Sequence, residues 1–493
     1  MNKLQVYLKD YSMMIIDCDR GIAAELSEFF SFFVPGYKFM PAYKNKVWDG
    51  KIRLFNGMTN ELNAGLFVYL YNFCKERNYK LDVVETDYGL PYEENKFDID
   101  DLNNMLDDIK IPFPLRDYQY KAVEQAIRRE RAVLLSPTGS GKSFMIYALV
   151  RWILEQDDRA KVLIVVPTTS LVEQLYSDFK DYGWDVATNV HRIYSGKDKN
   201  TSMRTTISTW QSIYKFPKQW FEQFYGVFGD ECHGFKSKSL SSIMNKATEA
   251  KYRFGTTGTL DGTQTHKLVL EGLFGPVFKV TSTKELQDND TLAPLDINVL
   301  LLNYPESVRQ NFGKQTYQQE IDFIVKNDAR NKLIRNIALD RTGNTLVLFQ
   351  LVEKHGKVLY DLISSKAELD RKVFFVSGAV GADDREAIRK IVEKQSNAII
   401  VASMGTFSTG INIKNLHNII FASPSKSQIR VLQSIGRGLR KSDDGSTTQL
   451  FDVADDLHWK GRQNFTLLHS AERVKIYNKE QFKFKIVKVD INE

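Results

Sequence analysis

Ser136-Pro137-Thr138-Gly139-Ser140-Gly141-Lys142-Ser143 is the octet whose residue types and spacing speak most directly of chemistry. It follows the apolar run Ala132 to Leu135 and opens a stretch of helical periodicity, a strand–loop–helix arrangement in which backbone N–H groups converge on phosphate oxygens. Gly139 and Gly141 let the backbone curl, and Thr138 and Ser140 complete the cradle. Lys142 brings a compact positive charge to β- and γ-phosphates, and the Ser143 hydroxyl can ligate Mg²⁺. Ser136 stands where the usual pattern has Gly. The implied substrate is ATP, with Mg²⁺ as cofactor.

Two further groups suit the same chemistry. Asp230-Glu231-Cys232-His233 closes the apolar run GVFGD, at a strand end where ligand-binding loops gather in parallel sheets. Phosphoryl transfer to water needs charge neutralisation and an oriented nucleophile. Asp230 is therefore read as holding Mg²⁺ through water, and Glu231 as orienting or deprotonating the attacking water. Gln433-Ser434-Ile435-Gly436-Arg437-Gly438-Leu439-Arg440 reads as helical, with Arg437 and Arg440 on one face. Their guanidinium groups could stabilise the transferring γ-phosphate.

The elements that must position these residues are legible as a rhythm. After Pro114, AVLLS at 132–136, VLIVV at 162–166, TTIST at 205–209, GVFGD at 226–230 and RFGTTG at 253–258 alternate with helical stretches such as 142–155 and 170–181. Runs so uniformly apolar predict strands buried on both faces of a parallel sheet. A loop-rich interval from about 280 to 330 follows. The rhythm restarts with TLVLF at 345–349, KVFFVS at 372–377, AIIVAS at 398–403, NIIFAS at 418–423 and TQLFDV at 448–453. The predicted fold class is α/β, with two tandem parallel-sheet domains and a small α+β domain before them.

A length of 493 residues is too great for a single core. The expected divisions are 1–110 (accessory), 111–282 (first α/β domain, ATP-binding), 283–455 (second α/β domain) and 456–493 (basic C-terminal segment). The first boundary rests on charge. Eight basic residues stand against three acidic ones between Tyr37 and Lys80, acidic residues dominate from Asp82 to Asp108, and Pro112 and Pro114 then punctuate the chain. A net charge of +6 is too mild by itself to identify a nucleic-acid partner. Cys18, Cys74 and Cys232 are scattered and odd in number, which fits neither a disulfide framework nor a zinc site and suits a reducing compartment. No run approaches about 20 apolar residues and the N-terminus lacks a signal-type apolar region, so the expectation is a cytosolic protein with no membrane partner.

In this order the pieces resemble a superfamily 2 helicase or translocase over roughly residues 112 to 455, which implies RecA-like motor domains. Leu115-Arg116-Asp117-Tyr118-Gln119 is similar to the adenine-reading segment, with Gln119 and Arg116 at the nucleotide. Val166-Pro167-Thr168-Thr169 and Ser208-Thr209-Trp210-Gln211 are similar to the motifs that hold the nucleic-acid backbone, implying contacts from Pro167, Thr168, Thr209, Trp210 and Gln211. Thr257-Gly258-Thr259 resembles the segment coupling hydrolysis to strand movement. His233 would link it to the ATP site, and Gln433 would join the coupling set. Ser408-Thr409-Gly410-Ile411-Asn412 matches a second-domain motif that places Gly410 at the nucleotide.

The flanks resemble the UvsW type of bacteriophage helicase. These are Tyr43 to Leu54, preceded by the aromatic-rich Phe29 to Phe33, and the segment 457–493 with Trp459, Arg462, His469 and Arg473. Lys44, Lys46 and Trp48 are the accessory-domain candidates for DNA contact, two cations for phosphates and an aromatic that could stack on an unpaired base. The resemblance implies a monomer acting on forks, Holliday junctions, displacement loops and RNA–DNA hybrids, in the cytoplasm of an infected bacterium. Recombination or single-strand-binding proteins are the implied partners. Two rival readings share these motifs: the motor subunit of a restriction-type duplex translocase, and an ATP-binding clamp that does not turn over. The first lacks an obvious nuclease segment, and intact Glu231, Arg437 and Arg440 oppose the second.

Overall fold

The computed structural model of the chain describes residues 3–92, 97–194, 198–199, 202–260, 262–312, 315–410, 413, 415–425, 427–439 and 447–491, with backbone alone at 236, 265, 382–383, 386, 408–410, 428–430 and 437–438. It divides into two compact units. One comprises Met1–Ser136 with Gly141–Val280, and the other Thr281–Glu493 with the short loop Pro137–Ser140.

The first unit opens with the accessory fold. Strands β1 (Lys3–Leu8), β2 (Met13–Asp17), β5 (Glu61–Asn63) and β6 (Lys80–Val84) form a sheet in the order β5-β2-β1-β6, and β3 (Ser31–Phe33) pairs antiparallel with β4 (Lys51–Arg53). Period-two alternation fixes the buried face. Leu4, Val6, Leu8, Met14 and Ile16 point into a core shared with Ile22 and Leu26 of one helix and Leu70 and Phe73 of another. Leu268, from a helix of the following α/β domain, joins the same core. Gly65 makes this packing possible: a Cβ there would lie 2.0 Å from the Glu271 carbonyl oxygen, so no larger residue fits. Tyr69 donates to Glu271 at 2.6 Å and Tyr88 to Glu249 at 3.1 Å across the seam.

The first α/β domain carries β7 (Arg131–Leu135), β8 (Val162–Val166), β9 (Val190–Ile193), β10 (Thr205–Thr209), β11 (Gly226–Asp230), β12 (Tyr252–Thr257) and β13 (Val277–Lys279), in the order β13-β7-β12-β11-β8-β10-β9 with every pairing parallel. β8, β10, β11 and β12 are buried at every position, as their unbroken apolar runs require. The five expected strands are all present. β9 and β13, the two at the sheet's edges, were not read from the sequence, because they are only four and three residues long.

The second unit repeats the plan with β14 (Leu295–Asn303), β15 (Thr345–Phe349), β16 (Val373–Val376), β17 (Ile399–Ser403), β18 (Asn418–Phe421), β19 (Thr448–Asp456) and β20 (Lys483–Asp490), again parallel, in the order β16-β17-β15-β18-β19-β14-β20. The interval read as loop-rich contains β14, which pairs with β19 over nine residues. The C-terminal segment is not a basic tail either. It contributes the helix Phe465–Lys479 and the edge strand β20, whose lysines alternate with apolar residues along an exposed strand.

Two buried ion pairs bind that C-terminal helix and its neighbours to the sheet. Arg473 donates to both oxygens of Asp452 through Nε, at 3.0 and 2.9 Å, and to the Ser425 carbonyl at 3.0 Å. Arg330 holds Asp455 side-on, Nε donating to Oδ1 at 2.7 Å and Nη2 to Oδ2 at 3.0 Å, and Nη2 also donates to the Ala422 carbonyl at 2.9 Å. Near Arg330 lies the buried His355. Asn331 donates its amide to Val325, so its oxygen faces His355 Nε2 at 3.2 Å, and Nδ1 is left to accept from the Ser423 hydroxyl at 3.1 Å. Burial, and secondarily Arg330, push this imidazole down to about 3. A depressed folded-state histidine gives stability that is present above its ordinary value and lost as pH falls. Below about pH 6.5 the second unit is expected to lose up to about 1.4 kcal/mol per pH unit. His355→Gln should flatten that dependence in urea titrations at pH 4 to 7; an unchanged slope would reject the assignment.

Candidate nucleotide and nucleic-acid sites

The phosphate loop leaves the carboxyl end of β7 and enters the helix Lys142–Gln156, which is buried almost all round. Gly139 and Gly141 adopt φ of +86° and +80°, the left-handed region open to glycine. A Cβ at Gly141 would also sit 2.3 Å from Gln119 Nε2, so that amide would have to move aside. The Lys142 ammonium donates to the Ser136 carbonyl at 3.3 Å, folded back over the loop that would receive phosphate. Ser143 Oγ lies 2.8 Å from the Tyr182 hydroxyl. Nothing in the motifs points to this contact, because Tyr182 lies at the end of a different helix and belongs to none of them. A serine oxygen has two acceptor lone pairs, so Tyr182 can occupy one and leave the other for a cation.

Asp230 ends β11 beside this loop, and Thr256 on the neighbouring strand β12 donates to its Oδ1 at 2.7 Å. Burial and then the adjacent Glu231 charge push the Asp230 carboxyl above its ordinary value, and the Lys142 ammonium only partly offsets them. A buried carboxylate whose charge is left only partly compensated is a hard-oxygen donor that fits Mg²⁺, and the Ser143 hydroxyl is a second oxygen of the same kind. Glu231 sits at φ +49°, so the chain turns sharply after β11. Its Oε2 is 3.3 Å from His233 Nδ1, and the same nitrogen is 3.0 Å from Thr257 Oγ1. Thr257 in turn donates to the Thr259 carbonyl at 3.0 Å. The structure thus brings together Glu231, His233, Thr257 and Thr259, which the sequence scattered over two motifs.

Gln119 is buried and caps its own helix, its Oε1 accepting from the Arg116 backbone N–H at 2.9 Å. The Arg116 guanidinium reaches the Tyr118 hydroxyl at 3.2 Å. At the carboxyl ends of the paired strands β8 and β10, the exposed Gln211 donates to the Pro167 carbonyl at 3.3 Å, joining two of the expected nucleic-acid motifs. Thr168 caps the helix Thr169–Asp181, Thr209 is buried with its hydroxyl 2.8 Å from Ser212, and Trp210 packs edge-on against Tyr214 beside the domain core. Gln211 therefore offers the side chain most open to a ligand among these five.

In the accessory domain Lys44 and Lys46 are exposed, whereas the Trp48 indole N–H donates to the Lys51 carbonyl at 2.8 Å and its ring is half-buried. In the second unit Gln433 is buried on the helix Gln428–Gly438. That helix also carries Arg437, described through its backbone alone, while Arg440 lies outside the described residues. Gly410 ends the helix Met404–Gly410. No helix among the described residues is long and apolar enough to cross a membrane.

Two parallel sheets in tandem, the first bearing a phosphate loop and an Asp-Glu pair at its carboxyl edge, are the architecture of the superfamily 2 ATP-dependent helicases. Comparison with known proteins agrees. Residues 112–262 match the family of type III restriction enzyme res subunits, residues 328–442 the helicase conserved C-terminal domain, and residues 3–84 the N-terminal domain of the DNA helicase UvsW. The ATP-dependent DNA helicase UvsW of Enterobacteria phage T4 is 34% identical over 99% of this chain and 100% of its own. Its crystal structure superposes with a TM-score of 0.52 at 32% identity, covering 99% of this chain and 100% of that one. A DNA 3′-5′ translocase, XPB2 of Sulfurisphaera tokodaii, is 24% identical over 69% of the chain and 83% of its own length. The chain belongs to the UvsW family and is an ATP-dependent DNA helicase.

Proposed function

We propose that this helicase remodels branched DNA, namely forks, Holliday junctions and displacement loops, and separates RNA–DNA hybrids, by tracking one strand as ATP is hydrolysed. The observation that best supports coupling of the two events is the contact chain from Glu231 through His233 to Thr257 and Thr259. In this reading Lys142 and the loop Thr138 to Ser143 bind the phosphates, Gln119 and Arg116 the base, and Gly410 the nucleotide from the second motor domain. Glu231 accepts a proton from the attacking water, and its contact with His233 makes the coupling segment sensitive to that change. Ser143 and Asp230 would hold Mg²⁺, which when bound supplies charge neutralisation at the phosphates. Arg437 and Arg440 are assigned to the transferring phosphate. Gln433 belongs with the coupling set.

Pro167, Thr168, Thr209, Trp210 and Gln211 are assigned to the strand's backbone, with Gln211 the most accessible of them. In the accessory domain the exposed Lys44 and Lys46 carry the phosphate contact. Trp48 is the weaker partner, because its indole N–H is already bound and its ring half-buried. The enzyme would act as a monomer in the cytoplasm of an infected bacterium, alongside recombination or single-strand-binding proteins.

Unwinding should be compared on a forked duplex, a four-way junction, an RNA–DNA hybrid and a blunt linear duplex. The reading requires faster turnover of the first three, and equal rates on the blunt duplex would favour a duplex translocase. Lys44→Ala with Lys46→Ala should lower the slope of log affinity against log salt by about 2 for forks, one unit per lost phosphate contact. An unaltered slope would remove these lysines from the interface.

A further inference from the structure

A second cavity lies within the first unit, at the seam between the accessory domain and the first motor domain, and no step of ATP hydrolysis uses it. It is partly open to solvent, and its walls include Tyr11, Phe67, Tyr88 and Tyr92 from the accessory side and Arg129 and Arg131 from the motor side. Arg131 is the first residue of β7, and the phosphate loop leaves the other end of that strand. Five residues of strand span about 16 Å, so this space is separate from the nucleotide site.

Its chemistry is lopsided. Lys251 and Glu130, also in the wall, neutralise each other at 2.8 Å. Arg129 and Arg131 then remain, and each leaves one buried guanidinium nitrogen, Nε of Arg129 and Nη1 of Arg131, with no hydrogen-bond partner. A desolvated, unpartnered donor destabilises the fold, the more so when it is charged. Arg131 spends another nitrogen on the Tyr11 carbonyl at 2.9 Å, and burial pushes its guanidinium down to about 10. The neighbouring Arg253 is fully buried and bonds carbonyls at 3.0 and 2.9 Å, so it brings further positive charge to the seam. The rest of the lining is rich in aromatic rings. Tyr11 and Tyr88 meet edge to face with centroids 5.1 Å apart, and Phe67 stacks on Tyr92 at 6.2 Å. Guanidinium donors and aromatic rings in one lining suit one ligand chemistry, an anionic head on a flat apolar body.

We propose that the seam pocket binds small aromatic anions, in which a phosphate or carboxylate meets Arg129 and Arg131 and a planar ring lies among Tyr11, Phe67, Tyr88 and Tyr92. Two sources share that chemistry, a nucleoside monophosphate and an aromatic carboxylate, and the probes tell them apart. The full chain, with its ATP site saturated by a non-hydrolysable ATP analogue, is titrated calorimetrically with thymidine 5′-monophosphate, benzoate, inorganic phosphate and uncharged thymidine. At least one ring-bearing anion should bind at least tenfold more tightly than phosphate or thymidine, and the tighter of the two names the source. Arg129→Met should weaken it tenfold or more. Val68→Trp should do the same by filling the rim, where Val68 is 43% exposed and a larger side chain leaves the core intact. Both variants should keep the wild-type thermal transition and ATP turnover. Failure of both ring-bearing anions to bind folded wild type, binding no tighter than that of phosphate or thymidine, or binding indifferent to both variants would overturn the proposal.

Discussion

Glu231→Gln is expected to lower kcat for ATP by about 10²–10⁴, the range a positioned general base contributes, while ATP affinity stays within a few-fold of wild type. The amide keeps the shape of the side chain and can still reach His233, but it cannot take a proton. Glu231 is half-buried and held at φ +49° by the turn after β11, so the substitution should leave the fold unaltered. The contrast with Lys142→Ala is informative. Lys142 belongs to the phosphate cradle, so its loss should raise KM as well as depress turnover, whereas loss of the base should fall on kcat. Single-turnover hydrolysis with and without DNA, alongside binding of a fluorescent ATP analogue, separates the two. Turnover of Glu231→Gln within threefold of wild type would show that another group activates the water.

The second large effect concerns stability. Arg473→Met should destabilise the second unit by about 3–5 kcal/mol, because it strands the Asp452 carboxylate in a site with no solvent exposure. Asp452 would retain the Tyr477 hydroxyl at 2.8 Å, a neutral donor that cannot balance the charge, and the Ser425 carbonyl would lose its partner. For a unit of this size that loss corresponds to a melting transition lower by roughly 10 °C. Adding Asp452→Leu should recover most of the deficit, since the buried charge disappears with its partner. Denaturant titration of the full chain, following the second unit, measures both. A deficit below about 1 kcal/mol for the single variant would mean that water reaches Asp452. The same logic makes residues 457–491 part of the motor, because truncation would remove Arg473 and Tyr477 and bare the edge of β14.

The strands and the phosphate loop were legible because their signals are local. An apolar run buried on both faces needs no knowledge of its neighbours, and VLIVV, TTIST and GVFGD coincide with β8, β10 and β11 to the residue. β14 escaped because Pro294 and Pro305 bracket it and its run lies in a stretch rich in turn residues. β20 escaped because its lysines resemble a solvated tail, although an exposed edge strand is the place where charge is tolerated.

Sequence alone determined which residues could handle a phosphate and a water: Lys142, Ser143, Asp230 and Glu231 declare themselves through short-range spacing, since a loop's backbone angles and a strand's end depend on a handful of adjacent residues. Tertiary structure decided what each is joined to. Ser143 meets Tyr182 across 39 positions, His233 meets Thr257 across 24, and Arg473 is buried on Asp452 rather than displayed to solvent. Such pairings depend on how sheets and helices stack, and one chain read in order carries no record of which distant side chains will share a solvent-free space.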